Sequence, residues 1–255
     1  MSCGESETAT APERTRLHRP AFYALAPGGW RDLVTLLHPP YTAWHLSYVA
    51  LGAAAAPVVH ADRLGAALAA FFLAVGIAAH ALDELHGRPL QTRLSRPALI
   101  VLAATSLSGA VAIGVVGTLT ISAWLAPLVA LGAFLVVAYN LELFGGRVHD
   151  DVWFALAWGG FPAFTGYFVN ALQIRPAGLL VAAACCLLSA AQRRLSTPVR
   201  ELRRRTAEVS GVQTLASGET RTLDAESLAG PLEGALRALW LAVVLLAIGL
   251  MAVRL

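Results

Sequence analysis

Apolar residues along this chain gather into long blocks separated by short polar stretches. Seven such blocks run approximately from Tyr41 to Val59, Leu64 to Leu82, Ala98 to Leu119, Ile121 to Tyr139, Val152 to Leu172, Ala177 to Ala191 and Leu236 to Val253. A bilayer core about 30 Å thick is crossed by roughly 20 mostly apolar residues in a helix rising about 1.5 Å each, and several of the blocks reach that length. Helices satisfy their own backbone hydrogen bonds in lipid, and the polar/apolar alternation of a membrane β-barrel is absent. The pattern predicts an all-α, polytopic transmembrane bundle of about seven spans. The third and fourth spans form a tight hairpin near Gly117. Gly52, Gly76, Gly109, Gly159, Gly160 and Pro162 lie within the blocks and suit close helix packing and local kinks.

Composition agrees with this reading. Of 255 residues, 57% are hydrophobic and only 14% charged, too little polar surface to cover a water-facing globule. Residues 1–38 carry no leading apolar core and predict a partly disordered cytoplasmic tail before a membrane domain spanning 39–255. The first span serves as its own insertion signal. Cys3 falls in the tail. Cys185 and Cys186 are adjacent in an apolar block without metal-ligand spacing and read as small core residues.

The 19 basic residues are all arginine, and their distribution fixes an orientation. With the N-terminus in the cytoplasm, 16 arginines lie inside and only Arg63, Arg175 and Arg254 outside. This predicts an odd number of spans, the C-terminus outside, and residence in a membrane such as the bacterial plasma membrane. The net charge of +3 is thereby an orientation signal, and no aromatic-interleaved basic patch points to nucleic acid.

Candidate chemistry sits in the inner loops. The first runs from His80 through Asp83, Glu84, Arg88, Pro89, Leu90 and Arg93 to Arg96. His80, Asp83 and Glu84 share one face by the three-and-four spacing of a helix. Charges near lipid usually face a cavity or water. Asp83 and Glu84 therefore make a candidate Mg²⁺ site, with Arg88, Arg93 and Arg96 available to a diphosphate. An equally open reading is a solvated loop in which Glu84 pairs with Arg88. The second inner loop offers Tyr139, Asn140, Glu142, Arg147, His149, Asp150 and Asp151 around a Gly145-Gly146 turn. Beyond it, Trp153 suits the interfacial belt, while Trp158, Phe161 and Tyr167 fit either packing or the lining of an apolar cavity. After the sixth block, Thr197-Pro198 reads as a helix start. An inner loop of about 194–232 follows, with disorder expected over Gly211 to Glu226.

The order of these segments resembles the UbiA-type intramembrane prenyltransferases. That family carries Asn-Asp-x-x-Asp-x-x-x-Asp before an Arg-Pro-Leu. Here His80 stands at the Asn, Glu84 at the second Asp with Asp83 beside it, and Arg88-Pro89-Leu90 matches the Arg-Pro-Leu. Ala81 and Arg88 replace the other two acids. The family's Tyr-x-x-x-Lys-Arg is met at Tyr139, with Leu143 and Phe144 at the basic positions and Arg147 the nearest cation. Leu156 through Phe168 follows the family's Gly-rich aromatic helix. The family's second Asp-rich loop is basic here, from Arg193 to Arg205, and its nine helices are seven. The resemblance, over residues 35 to 195, implies a UbiA-like bundle moving a prenyl group from its diphosphate to an aromatic or lipid acceptor. It implies Asp83 and Glu84 on Mg²⁺, with Asp150 completing the acidic set. His80, Arg88, Arg93, Tyr139, Asn140 and Arg147 would bind substrate, and Trp158, Phe161 and Tyr167 would line the prenyl channel. Arginines in place of the second acidic loop could neutralise the diphosphate without metal. A terpene cyclase on this scaffold, or a non-catalytic protein binding a lipid headgroup or a partner, are the alternatives.

Overall fold

A computed structural model describes residues 21–255. Each apolar block becomes helical, and eight helices and one small hairpin make up the described residues. A short α1 (Trp30–Leu36) precedes α2 (Pro39–Ala54). The long helices are α3 (Ala61–Leu85), α4 (Arg96–Thr120), α5 (Ala123–Asn140), α6 (Asp151–Ala171), α7 (Pro176–Arg204) and α8 (Ala225–Arg254). These six are long and apolar enough to cross a membrane, and they make the chain an integral membrane protein of the all-α class. α2 has only 16 residues, about 24 Å of helix, and is the most enclosed element of the bundle.

Lipid-facing surface is recognisable by what it exposes. Val116 and Leu119 on α4, Leu180 and Leu187 on α7, and Leu245 and Ile248 on α8 are large, apolar and uncovered. Water would penalise such a belt, whereas hydrocarbon accepts it.

The core forms around α2, whose Trp44, Tyr48, Val49 and Ala53 are fully buried. It packs on α6 and α8, while α7 closes against α6 and α8. Two glycines set the α2–α6 approach. A Cβ at Gly52 would overlap the Ala163 carbonyl, and one at Gly166 would overlap the Val49 carbonyl, so each helix seats its backbone in a notch of the other. On the other side α3 carries α4, and α4 turns into α5. That turn falls at Ile121–Ser122, about one helical turn beyond the Gly117 region the sequence suggested, because Ser122 accepts the Trp124 N–H at 3.3 Å and starts α5. Ser95, Asp150 and Asp224 cap α4, α6 and α8 in the same way. Asp224 forms a capping box with Ser227, whose backbone N–H holds the carboxyl below its ordinary range.

Two expectations are corrected, at Thr197-Pro198 and over Gly211–Glu226. Thr197-Pro198 does not start a helix: α7 runs unbroken through Pro198 to Arg204. There Thr197 Oγ1 (2.8 Å) and Ser196 Oγ (3.2 Å) both donate to the Arg193 carbonyl, side-chain bonds that serve the backbone in the turn a proline disturbs. The stretch Gly211–Glu226 is ordered. Gly211–Thr214 (β1) pairs antiparallel with Thr220–Leu223 (β2) around Gly218, whose φ of +85° suits only glycine without strain. The tail expected over 1–38 is also partly built. Residues 21–38 fold onto the bundle, with Leu36 buried against Ala81, Leu99 and Ala103, while Cys3 lies outside the described residues.

Candidate functional site

Two π-helical stretches shape the interior: Phe72–Ala79 within α3 and Leu156–Gly160 within α6. In such a stretch the hydrogen-bond ladder slips by one residue, which frees carbonyls and re-aims side chains. Gly76 O accepts His80 Nδ1 at 3.1 Å, and Trp158 O accepts His45 Nδ1 at 2.8 Å. His149 Nδ1 makes the same kind of bond to Tyr139 O at 2.9 Å. A carbonyl only accepts, so Nδ1 carries the proton in all three rings, and in the neutral form Nε2 is left as a bare acceptor.

These three imidazoles line a polar chamber of about 500 Å³ at the end of the bundle where α3 joins α4 and α5 joins α6. Tyr41, Tyr139, Phe154 and Trp158 add aromatic surface, and Asp83 a carboxylate. The far wall is α7, through Gln192, Arg193, Ser196, Thr197, Arg200 and Arg204. Residues 21–23 close one side. Tyr23 Oη and His38 Nδ1 are 2.6 Å apart, and the His38 ring stacks on His80 with centroids at 4.1 Å. Burial drives the His38 pKa well below that of a free imidazole, with His80 adding to the shift, and raises that of the Tyr23 phenol. Tyr139 Oη and Gln192 Oε1 are buried with no hydrogen-bond partner among the described residues. Unsatisfied groups of this kind on a chamber wall are what a ligand's polar atoms complete.

A second hollow, about 140 Å³ and almost wholly apolar, lies between α3, α4, α5 and α6. Small residues line it: Ala70 and Ala74 on α3, Gly114 on α4 and Gly132 on α5. Val75 and Trp158 line both cavities, so the polar and apolar compartments share a wall.

The predicted site residues divide. His80, Asp83, Tyr139, Asn140 and Trp158 meet in the polar chamber, and Phe161 lines the apolar one. The others serve the fold. Glu84 is fully buried and faces its own loop, one oxygen accepting the Leu90 N–H (3.0 Å), the other the N–H and hydroxyl of Thr92 (2.8 and 2.9 Å). Arg88 does not pair with it but donates to the Thr92 and Leu94 carbonyls, both at 2.9 Å. The Arg93 side chain is exposed, and its backbone N–H donates to Asp32 at 3.2 Å. Arg147 is exposed, Asp150 is an exposed N-cap accepting the Trp153 N–H at 2.7 Å, and Tyr167 packs against Gly178 away from both cavities. Because successive helical residues point about 100° apart, Asp83 faces the chamber while Glu84 faces the loop. Glu84, fully buried and bonded through both oxygens within its own loop, is turned away from the chamber that Asp83 lines, so the two carboxylates do not converge on one Mg²⁺.

The sequence offers the arginines from Arg193 to Arg205 as a metal-free counter-charge but, with these read as loop residues, does not show which of them share a face. On one helix Arg193, Arg200 and Arg204 recur at intervals of seven and four, which one helical face repeats. Reading Pro198 as a boundary cut that face in two. No protein-family model matches the chain, and no curated protein or solved structure matches it either.

Proposed function

We propose that the chain is a membrane-embedded prenyltransferase, moving a prenyl group from a prenyl diphosphate to a hydrophobic acceptor. One observation carries this reading: a polar, arginine-walled chamber shares Val75 and Trp158 with a dry apolar hollow. An amphipathic donor with an anionic head and a hydrocarbon tail matches both compartments at once, and the segment order that resembles the UbiA family agrees. The arginine asymmetry favours the cytoplasmic side for the chamber.

The chemistry follows from the lining. Breaking the C1–O bond sends its electron pair to the diphosphate and leaves an allylic cation. Guanidinium groups on α7 take up the anionic charge. The faces of Trp158, Tyr139 and Phe154 stabilise the cation, and the dry wall behind them keeps water from capturing it. A nucleophilic atom of the acceptor then bonds to C1 and gives its proton to Asp83, the chamber carboxylate nearest the shared wall in sequence. Glu84 enters no step.

Purified protein in lipid nanodiscs, supplied with radiolabelled farnesyl and geranylgeranyl diphosphates, Mg²⁺ and phenolic or lipid acceptors, tests this. Asp83→Asn is expected to lower turnover by roughly 100-fold or more, the usual contribution of a positioned base, with the melting temperature unchanged. Absence of both donor binding and turnover in the native protein would remove the proposal. The commitment of Glu84 to its loop favours a second reading, a non-catalytic receptor for the same class of lipid. Donor binding without transfer to any acceptor is its signature.

A further inference from the structure

The chamber is poor in free carboxylates and rich in guanidinium. Three carboxylates line it: Asp83, Glu201 and Glu233. Glu233 is buried and already gripped by Arg203, with Arg203 Nε to Oε1 at 3.0 Å and a second bond at 3.1 Å, and with Arg237 3.7 Å away. Glu201 is exposed, which leaves Asp83 as the inward acid. Against these stand Arg193, Arg200 and Arg204 on the wall of α7. Steps of seven and four residues keep the three within about 40° of arc and spread them over roughly 16 Å of helix.

Their surroundings differ. Arg193 is fixed, its Nε donating to Asp151 at 2.9 Å and its guanidinium lying 5.1 Å from the Phe154 ring centroid. Arg200 is half-buried, and among the described residues no carboxylate lies within ion-pair distance of it. Its side chain donates to Thr197 Oγ1 at 3.1 Å, which aims the guanidinium along the helix face. In the same chamber the Tyr139 hydroxyl is buried with no partner among the described residues and is able to donate. A partly desolvated arginine without a counter-charge, in a chamber that holds an unused donor, is a place for an anion.

Resting on the prenyltransferase reading, we propose that the diphosphate headgroup is held, and neutralised as it departs, by the guanidinium face of α7 centred on Arg200, and not by Mg²⁺ on paired acids. Guanidinium forms two parallel N–H···O bonds to phosphate oxygens and keeps its proton throughout. The charge balance therefore closes without metal: the departing diphosphate gains one negative charge on C1–O cleavage, and cations already facing it absorb that charge. No proton moves until the acceptor delivers one to Asp83.

Calorimetric titration of the full chain in zwitterionic nanodiscs decides this, using inorganic pyrophosphate and farnesyl diphosphate as probes, each in excess EDTA and in Mg²⁺. Both probes are expected to bind with dissociation constants that agree within about threefold between the two conditions. Arg200→Gln weakens both by at least about tenfold, the size of one charge-assisted hydrogen bond, and Arg200→Lys recovers part of the loss. Arg194→Gln, on an exposed side of α7, changes neither. Loss of binding on chelation overturns the proposal, as does an Arg200→Gln protein that binds normally. Should Arg200→Gln not fold, the EDTA comparison on the native protein still decides. Short-chain phosphatidate binding more tightly than farnesyl diphosphate would overturn the diphosphate assignment in favour of a lipid monophosphate. Metal-independent binding without turnover supports the arginine site while removing prenyl transfer. Turnover with binding that requires Mg²⁺ does the reverse.

Discussion

The two halves of the bundle are packed on different principles. Around α2, α6, α7 and α8, backbone meets backbone: Gly52 and Gly166 interlock, and a Cβ at Gly159 would run into the Cys185 carbonyl and Ser189. Around α3, α4 and α5 an apolar hollow remains, and the glycines meet side chains instead: a Cβ at Gly114 would reach Val129 and one at Gly132 the Phe161 ring. The same residue type thus seats backbone in one half and side chains in the other. Small side chains in a membrane bundle bring helices together only where the partner also offers a notch.

The largest effect that would break this contrast is at the α2–α6 notch. Gly52→Ala forces the helices apart and is expected to cost about 3 kcal/mol or more, or to prevent assembly. Gly132→Ala meets only the Phe161 ring tip and should shift stability by less than about 1 kcal/mol. Thermal unfolding in detergent compares the two, and equal losses would erase the distinction.

Next in size is the clasp within the packed half. Arg203 joins α7 to Glu233 and Glu226 on α8, and its side chain is only 9% exposed. Arg203→Ala leaves the buried Glu233 carboxylate only the more distant Arg237, 3.7 Å away, and should destabilise by about 3 kcal/mol, while Arg221→Ala in the exposed β hairpin costs less than about 1. Urea or thermal melts of both variants sharpen the comparison.

The smallest effect lies where the halves touch, at the stack of His38 on His80. The folded state keeps His38 neutral because burial depresses its pKa, whereas the unfolded chain protonates it near pH 6.5. Above that pH neither state holds the proton and stability is full. As pH falls below about 6.5, the unfolded state binds a proton that the folded state refuses, and stability drops by up to roughly 1.4 kcal/mol per pH unit. A melting temperature lower at pH 5.5 than at 7.5, with the difference reduced in His38→Gln, is the expected result. An unchanged difference in that variant would assign it elsewhere.

Hydropathy made the helices legible because lipid imposes one rule along their whole length. The lining of the chamber was legible where a residue's own position on a helix decided its direction, as for His80, Asp83, Tyr139, Asn140 and Trp158. It was not legible where the loop decided. Nothing near Glu84 announces that Leu90 and Thr92 fold back onto it. Pro198 misled for the opposite reason. Proline marks helix starts so often that its tolerance inside α7 hid the arginine face. The hairpin Gly211–Leu223 was missed because its short, exposed strands carry almost no apolar alternation.

Phe22 and Tyr23 come from a stretch that reads as dispensable tail, yet they roof the polar compartment, with Arg237 stacked 5.0 Å over Phe22. An N-terminal deletion reaching past them would leave every helix standing and still open the polar compartment to water. Under the proposed prenyl transfer, a carbocation formed there would meet bulk solvent first, and the shortened protein is expected to hydrolyse a prenyl diphosphate to a free alcohol.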